Sequence, residues 1–155
     1  MMILGIDPGL SGAIAFYDTS NESVVVIDMP TIEVTRNGKN KREVSPALIA
    51  DAVAGKGIVQ AFVERVSAMP GQGVSSMFSF GRSVGVIEGV LAAYEIPVTL
   101  VTPQAWMKAM GVRAGKDGSR ERAMQLFPQY ADLFSRKKDD GRSDAVLIAK
   151  YGATC

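Results

Sequence analysis

Three stretches of the chain place carboxylates where folding alone gives little reason for them. MMILGIDPGLSG ends an apolar run at Asp7, GIVQAFVE ends another at Glu64, and KKDDGRSDAVLIA sets Asp140 and Asp144 four residues apart ahead of an apolar helical stretch. A lone carboxylate at the end of a buried strand costs on the order of several kcal/mol unless something neutralises it. Hydrogen bonds from the following turn are one remedy and a metal ion is another. If the acids gather in one place, their mutual repulsion demands cations or shared protons at neutral pH. Hard divalent ions meet that demand, because Mg²⁺ takes a few carboxylates together with waters and substrate phosphate oxygens. Two such ions roughly 3.5 to 4 Å apart activate a water and stabilise the leaving oxygen of a phosphodiester.

Each acid also has a plainer reading. Asp7, ahead of Pro8 and Gly9, is placed to cap a turn, and Glu64, ahead of Arg65, to form a strand-end ion pair. Asp140 suits a helix N-cap, with Asp144 one turn on complementing the helix dipole. The coincidence of all four favours a shared site. The chain has no histidine, which removes His-based triads, most zinc sites and the commonest general base. A carboxylate and metal site needs none.

The elements that must position these acids follow from patterning. MILGID, GAIAFYD and SVVVIDM are short β-rich runs close enough to be antiparallel neighbours joined by hairpins. Residues 31 to 44 are polar, carry Asn-Gly and a basic cluster, and are expected to form an exposed excursion. Ser45-Pro46 opens a short helix, with Ser at the cap and Pro at the first helical position. GIVQAFVE is a strand, Val74 to about Tyr94 has helical spacing, and PVTLV is a fifth strand. PQAWMKAM and SRERAMQLF are helices, and DAVLIAKYG closes the chain as a helix with an apolar face. Three strands in succession followed by alternating strands and helices predict one α/β domain over 1–155 with a mixed sheet. In such sheets ligands gather beside the carboxyl ends of the strands, where Asp7 and Glu64 lie. Gly81, Gly85 and Gly89 recur on one stripe of the long helix, a place for close backbone packing.

Composition sets the outer limits. At 155 residues, 47% hydrophobic and 21% charged, the chain can bury a core without disulfides. No apolar run is long enough for a membrane span. The beginning of the sequence has no secretory pattern. The single cysteine, Cys155, cannot form an internal disulfide, so a reducing, cytoplasmic setting is expected. A net charge of +1 is neutral as to nucleic acid, but RNGKNKR at 36–42 and RAGKDGSRER at 113–122 concentrate positive charge. The plainer reading, a solvated segment, is the favoured one for either cluster taken alone.

Taken in order, GIDPGLSGAIA, FVERVSAMPGQGVSSMFSFGRSVGVIEGVLAA, VTPQAWMKAMG and DDGRSDAVLIA resemble the successive blocks of RuvC-like Holliday junction resolvases, in the form found in bacteriophages and prophages. The resemblance implies an RNase H-like fold: a five-stranded mixed sheet flanked by helices. It also implies a homodimer and Mg²⁺- or Mn²⁺-dependent, paired cleavage of a four-way DNA junction, leaving 5′-phosphates. Neither a membrane nor a nucleotide cofactor is implied. By position, Asp7, Glu64 and Asp144 match the family's catalytic, metal-holding acids. Asp140 is the fourth, although the family's last pair is usually three apart, which would put the acid on Gly141. Asp139 is the other candidate for that place.

For DNA, the resemblance points to Met69, Gln72 and Phe78 at the junction centre. It adds Lys108, Lys116, Arg120 and Arg122 for phosphates. Phe78 reads better as a core residue on the helix, and Trp106 reads as packing. Relatives often carry Lys where Met107 stands. The rival readings are another RNase H-like or RuvC-related nuclease, acting on RNA or on other branched DNA, an actin- or sugar-kinase-type ATP-binding fragment, and a junction-binding scaffold without catalysis.

Overall fold

The computed structural model describes all 155 residues. In chain order the elements are β1 (Met2–Asp7), β2 (Ala13–Asp18), β3 (Ser23–Asp28), β4 (Thr31–Arg36), β5 (Lys39–Val44), α1 (Pro46–Val53), β6 (Ile58–Glu64), α2 (Val74–Ala93), β7 (Val98–Val101), α3 (Pro103–Met110), α4 (Gly118–Leu126) and α5 (Asp140–Gly152). Short 3-10 turns at Pro128–Phe134 and Lys137–Asp139 lead into α5. The main sheet has the order β3-β2-β1-β6-β7, antiparallel between the first three strands and parallel from β1 onward. This is the five-stranded mixed sheet expected from the pattern of runs.

Because β1 is central and covered on both sides, it is apolar almost throughout rather than alternating with polar residues. Its parity nevertheless sorts the side chains. Ile3 packs with Ala13, Ala15, Tyr17 and Phe62 on the face covered by α5, whereas Leu4 and Ile6 pack with Ile14, Phe16, Ala61 and Val63 on the face covered by α1 and α2. Successive strand residues point to opposite faces, so Asp7 and Glu64 fall on the α5 side with Ile3 and Phe62. The parallel register sets Gly5 against Phe62 and Ile6 against Val63. The residues that follow, Asp7 and Glu64, therefore end their strands side by side.

α5 is held unusually close to β1. A Cβ at Gly5 would run into the Ala145 carbonyl and the Ala149 amide, so strand backbone meets helix backbone there. The helix buries Ala145 to Ala149 without a break.

The helix starts expected from the sequence are present. Ser45 Oγ accepts from the Leu48 amide at 3.2 Å ahead of Pro46, and Thr102 Oγ1 accepts from the Ala105 amide at 3.2 Å ahead of Pro103. Such caps each stabilise a helix by about 1 kcal/mol. One element departs from expectation. Residues 31 to 43 are mostly exposed, but with Val44, which is buried, they form a β4–β5 hairpin turning at Asn37 and Gly38, both with positive φ. Paired left-handed residues are the geometry of a tight two-residue hairpin turn. No helix is long and apolar enough to cross a membrane.

Candidate active site

Asp7, Glu64 and Asp140 line a cavity of about 580 Å³ at the carboxyl ends of β1 and β6. Its walls are the Pro8–Gly12 loop, Gly141, and Ser76, Ser79, Phe80 and Ser83 of α2. Asp144 stands one helical turn beyond Asp140 on α5 and does not line this cavity. Asp7 and Asp144 feel the charge of the other acids. Burial raises the Asp7 carboxyl to about 8, and repulsion from Asp144, Glu64 and Asp140 adds to the effect. Burial likewise raises Asp144 to about 7, opposed by the Ser119 hydroxyl and reinforced by Glu64 and Asp140. Glu64 is pushed up by burial and pulled back by Trp106, whose Nε1 donates to Glu64 Oε2 at 2.8 Å.

These residues fit a hard divalent cation. The donor set is all carboxylate oxygen, in surroundings where the acids resist ionising together without added positive charge. No three of them are grouped tightly enough to form a ready-made cage. A Mg²⁺ site completed by waters and phosphate oxygens needs only one or two protein carboxylates per ion.

The structure separates Asp139 from Asp140. Asp139 is 1% exposed and is bound by Arg136 at 3.0 Å, with Arg142 at 3.8 Å. The Arg136 backbone N–H also donates to it at 2.9 Å, and Ser143 Oγ donates to its carbonyl at 2.9 Å. Those partners hold the Asp139 carboxyl below the usual range despite its burial. Asp139, not Asp140, precedes the first residue of α5, which corrects the N-cap reading of Asp140. Asp140 is exposed at the cavity rim. An acid at 141 is excluded sterically, because any Cβ there would strike the Ser11 carbonyl and come within 3.1 Å of Gly12 Cα.

With the geometry in view, likeness to solved structures is informative. Thermus thermophilus RuvC in complex with a Holliday junction substrate superposes with a TM-score of 0.68 over 99% of this chain and 92% of that chain, at 13% identity. The fold is RuvC-like. The yeast mitochondrial Holliday junction resolvase Ydc2 matches this RuvC-like fold at a TM-score of 0.55, with 17% identity over 96% of this chain and 76% of that one. In sequence, 92 residues, or 58% of the chain, are 32% identical to the chloroplastic Holliday junction resolvase MOC1 of Chlamydomonas reinhardtii. The chain spans only 10% of the length of that relative. No protein-family model matches the sequence.

On this RuvC-like frame the expected DNA residues divide into two groups. Met69 and Phe78 are 60% and 75% exposed, which corrects the core reading favoured for Phe78. Gln72 is exposed, and its Oε1 accepts from the Met69 amide at 2.9 Å, which braces the loop between β6 and α2. Lys108, in the last turn of α3, and Lys116, before α4, are exposed but do not line the acidic cavity. Arg120 and Arg122 are occupied within the protein. Arg120, 11% exposed at its side chain, donates to Asp117 and to the Phe134 and Ser135 carbonyls, and Arg122 donates to the Met110 carbonyl and Gln125.

Two residues beside the acids escaped the sequence reading, Trp106 and Ser119. Trp106 does pack, but its indole N–H is aimed at Glu64. A buried indole ordinarily finds an acceptor, which was the available signal; its partner 42 residues away was not.

Proposed function

We propose that this chain is a divalent-metal-dependent, structure-specific endonuclease that resolves four-way DNA junctions by paired, symmetric nicks. One observation carries the reading: acids from β1, β6 and α5, far apart in sequence, converge on the strand ends of a RuvC-like sheet and couple electrostatically. The relationship to a protein named as a Holliday junction resolvase supports it.

Asp7, Glu64, Asp140 and Asp144 would hold Mg²⁺ or Mn²⁺. Once bound there, such ions would supply the positive charge that lets the acids ionise together and would polarise the phosphodiester and the attacking water. Trp106 fixes the orientation of Glu64 through the bond to Oε2. Asp7 and Asp144 are fixed by the backbone approach of α5 to β1. The water attacks in line and leaves a 5′-phosphate and a 3′-hydroxyl. Met69, Gln72 and Phe78 face the junction centre, and Lys108 and Lys116 offer charge to flanking phosphates.

Symmetric nicking requires two copies. The stripe of α2 that bears Gly81, Gly85 and Gly89, with open space where each Cβ would stand, is the surface we assign to a homodimer. The chain acts as one domain, and the setting we infer is the cytoplasm of a bacterial or phage-infected cell.

The test is a gel assay of mobile and immobile four-way junctions, a linear duplex and an RNA–DNA hybrid, with and without Mg²⁺. Junction-selective, Mg²⁺-dependent cutting that disappears in Asp7→Asn supports the reading. Undiminished cutting by Asp7→Asn overturns the mechanism, and preference for the hybrid overturns the substrate.

A further inference from the structure

Leu10, Ser11, Gly12 and Asp140 belong to two cavities at once. One is the acidic cavity. The other, about 710 Å³, shares that loop and has a single hydrophobic residue, Leu10, in its lining. Arg42 of β5 lines it, together with Arg136, Lys137, Lys138 and Arg142.

The acids in this second groove are largely neutralised. Arg142 binds Asp28 at 2.7 Å, and Asp139 is shared between Arg136 and Arg142. Arg42, Lys137 and Lys138 pair with no carboxylate and are exposed. Arg42 Nη2 also donates to the Leu10 carbonyl at 3.0 Å, and its Nε and Nη2 donate to Thr31 Oγ1, each at 3.3 Å. The guanidinium therefore ties the hairpin to the loop that the two cavities share. Glu43 of the same hairpin binds Arg82 of α2 at 3.0 Å, which fastens its other side. A hairpin outside the main sheet is thus moored at two points with its basic edge beside the acidic cavity.

We propose that this groove, between the β4–β5 hairpin and the Arg136–Lys138 turn, carries the phosphate backbone of the nucleic-acid strand running out of the acidic cavity. The inference rests on the nuclease reading above. A strand whose scissile phosphate sits among acids needs its next phosphates neutralised nearby, and unpaired cations bordering a polar groove provide this without reading bases. An open groove that shares its rim with the cavity suits a continuous polyanion better than a small free anion. Each phosphate neutralised releases counterions, so the contacts register in the salt dependence of binding.

The experiment measures binding of a labelled four-way junction in EDTA by anisotropy across a salt series. It compares wild type, Lys137→Ala/Lys138→Ala, the charge-keeping Lys137→Arg/Lys138→Arg, and Lys56→Ala. Lys56 precedes β6, at the opposite end of the sheet from the acids. In the double alanine variant, log K against log salt becomes shallower by about 1.8, the loss of two phosphate contacts at about 0.9 each. The arginine variant and Lys56→Ala keep the wild-type slope. An unchanged slope in the double alanine variant, with wild type binding and cutting junctions, overturns the groove and leaves the nuclease reading standing. Wild type that neither binds nor cuts a junction overturns the nuclease reading, and the groove with it.

Discussion

Trp106 Nε1 donates to Glu64 Oε2 at 2.8 Å, joining α3 to the end of β6. Trp106 is 1% exposed, so its ring cannot swing away without opening the core. A hydrogen bond to a charged group contributes about 1.5 to 3 kcal/mol. Trp106→Phe removes the donor while keeping an aromatic ring, and junction cleavage is expected to fall about tenfold to a hundredfold. The Mg²⁺ concentration giving half-maximal single-turnover cleavage rises with it. An unaltered metal dependence would separate Trp106 from the chemistry. Because it is the only tryptophan, its emission in wild type also reports metal binding directly.

Stability without metal should fall as pH rises. Unfolded aspartates release their protons near pH 3.9, whereas folded Asp7 and Asp144 hold theirs up to about 8 and about 7. Over that interval the folded protein binds more protons than the unfolded chain, so raising pH favours unfolding. Asp28, Asp117 and Asp139 have lowered values. Their stabilisation is lost as pH falls through the acid range and does not mask the trend above pH 5. Thermal melts in EDTA are expected to show a declining Tm from pH 5 to 8. In Asp7→Asn the decline is smaller, and Mg²⁺ raises the wild-type Tm more at pH 8 than at pH 5.

Moving the acid from 140 to 141 does not preserve the site. Asp140→Asn/Gly141→Asp restores the family's spacing on paper, yet any side chain at 141 meets the Ser11 carbonyl. Overpacking of this kind costs about 1 to 3 kcal/mol. The double variant is expected to melt lower than Asp140→Asn alone and to cut junctions no better. Recovered cleavage would show that the loop yields.

Asp139 and Asp140 should separate cleanly by assay. Asp139→Asn strips charge from a buried carboxylate whose partner Arg136 stays half solvated and whose partner Arg142 keeps Asp28, so the loss is expected at about 1 to 3 kcal/mol. Cleavage per folded molecule is retained at low temperature. Asp140→Asn leaves the melt nearly unchanged and lowers cleavage. The paired measurements are denaturant unfolding and single-turnover cutting.

Association through α2 is tested by Gly85→Glu. The position has open space around it, so the isolated fold tolerates a side chain there, apart from a helix-propensity change that favours Glu. Sedimentation velocity is expected to show dimer in wild type and monomer in the variant, with unchanged circular dichroism.

Much of this could be read from residue order because the central strands announce themselves. The runs ending at Asp7 and Glu64 are apolar, short and punctuated, and strand parity then puts both acids on one face. The hairpin was harder. TIEVTR and KNKREV bury little, so the alternation that marks a strand against a core is absent, and only Asn37-Gly38 carried a turn signal. Phe78 follows helical spacing like a core residue, but the stripe it occupies faces outward, and spacing alone cannot say which stripe is covered. What sets Asp139 apart from Asp140 is its pairing with Arg136 and Arg142, whose side-chain directions depend on how the 3-10 turn enters α5.

The meeting of main chains at Gly5 has a consequence for anyone redesigning the protein. At Gly5 no side chain stands between the strand bearing Asp7 and the helix bearing Asp144, so the two main chains cannot be drawn nearer there, and any side chain added at that position forces them apart. Adjusting the jaw they form has to begin elsewhere, at Asp140, which is exposed at its rim.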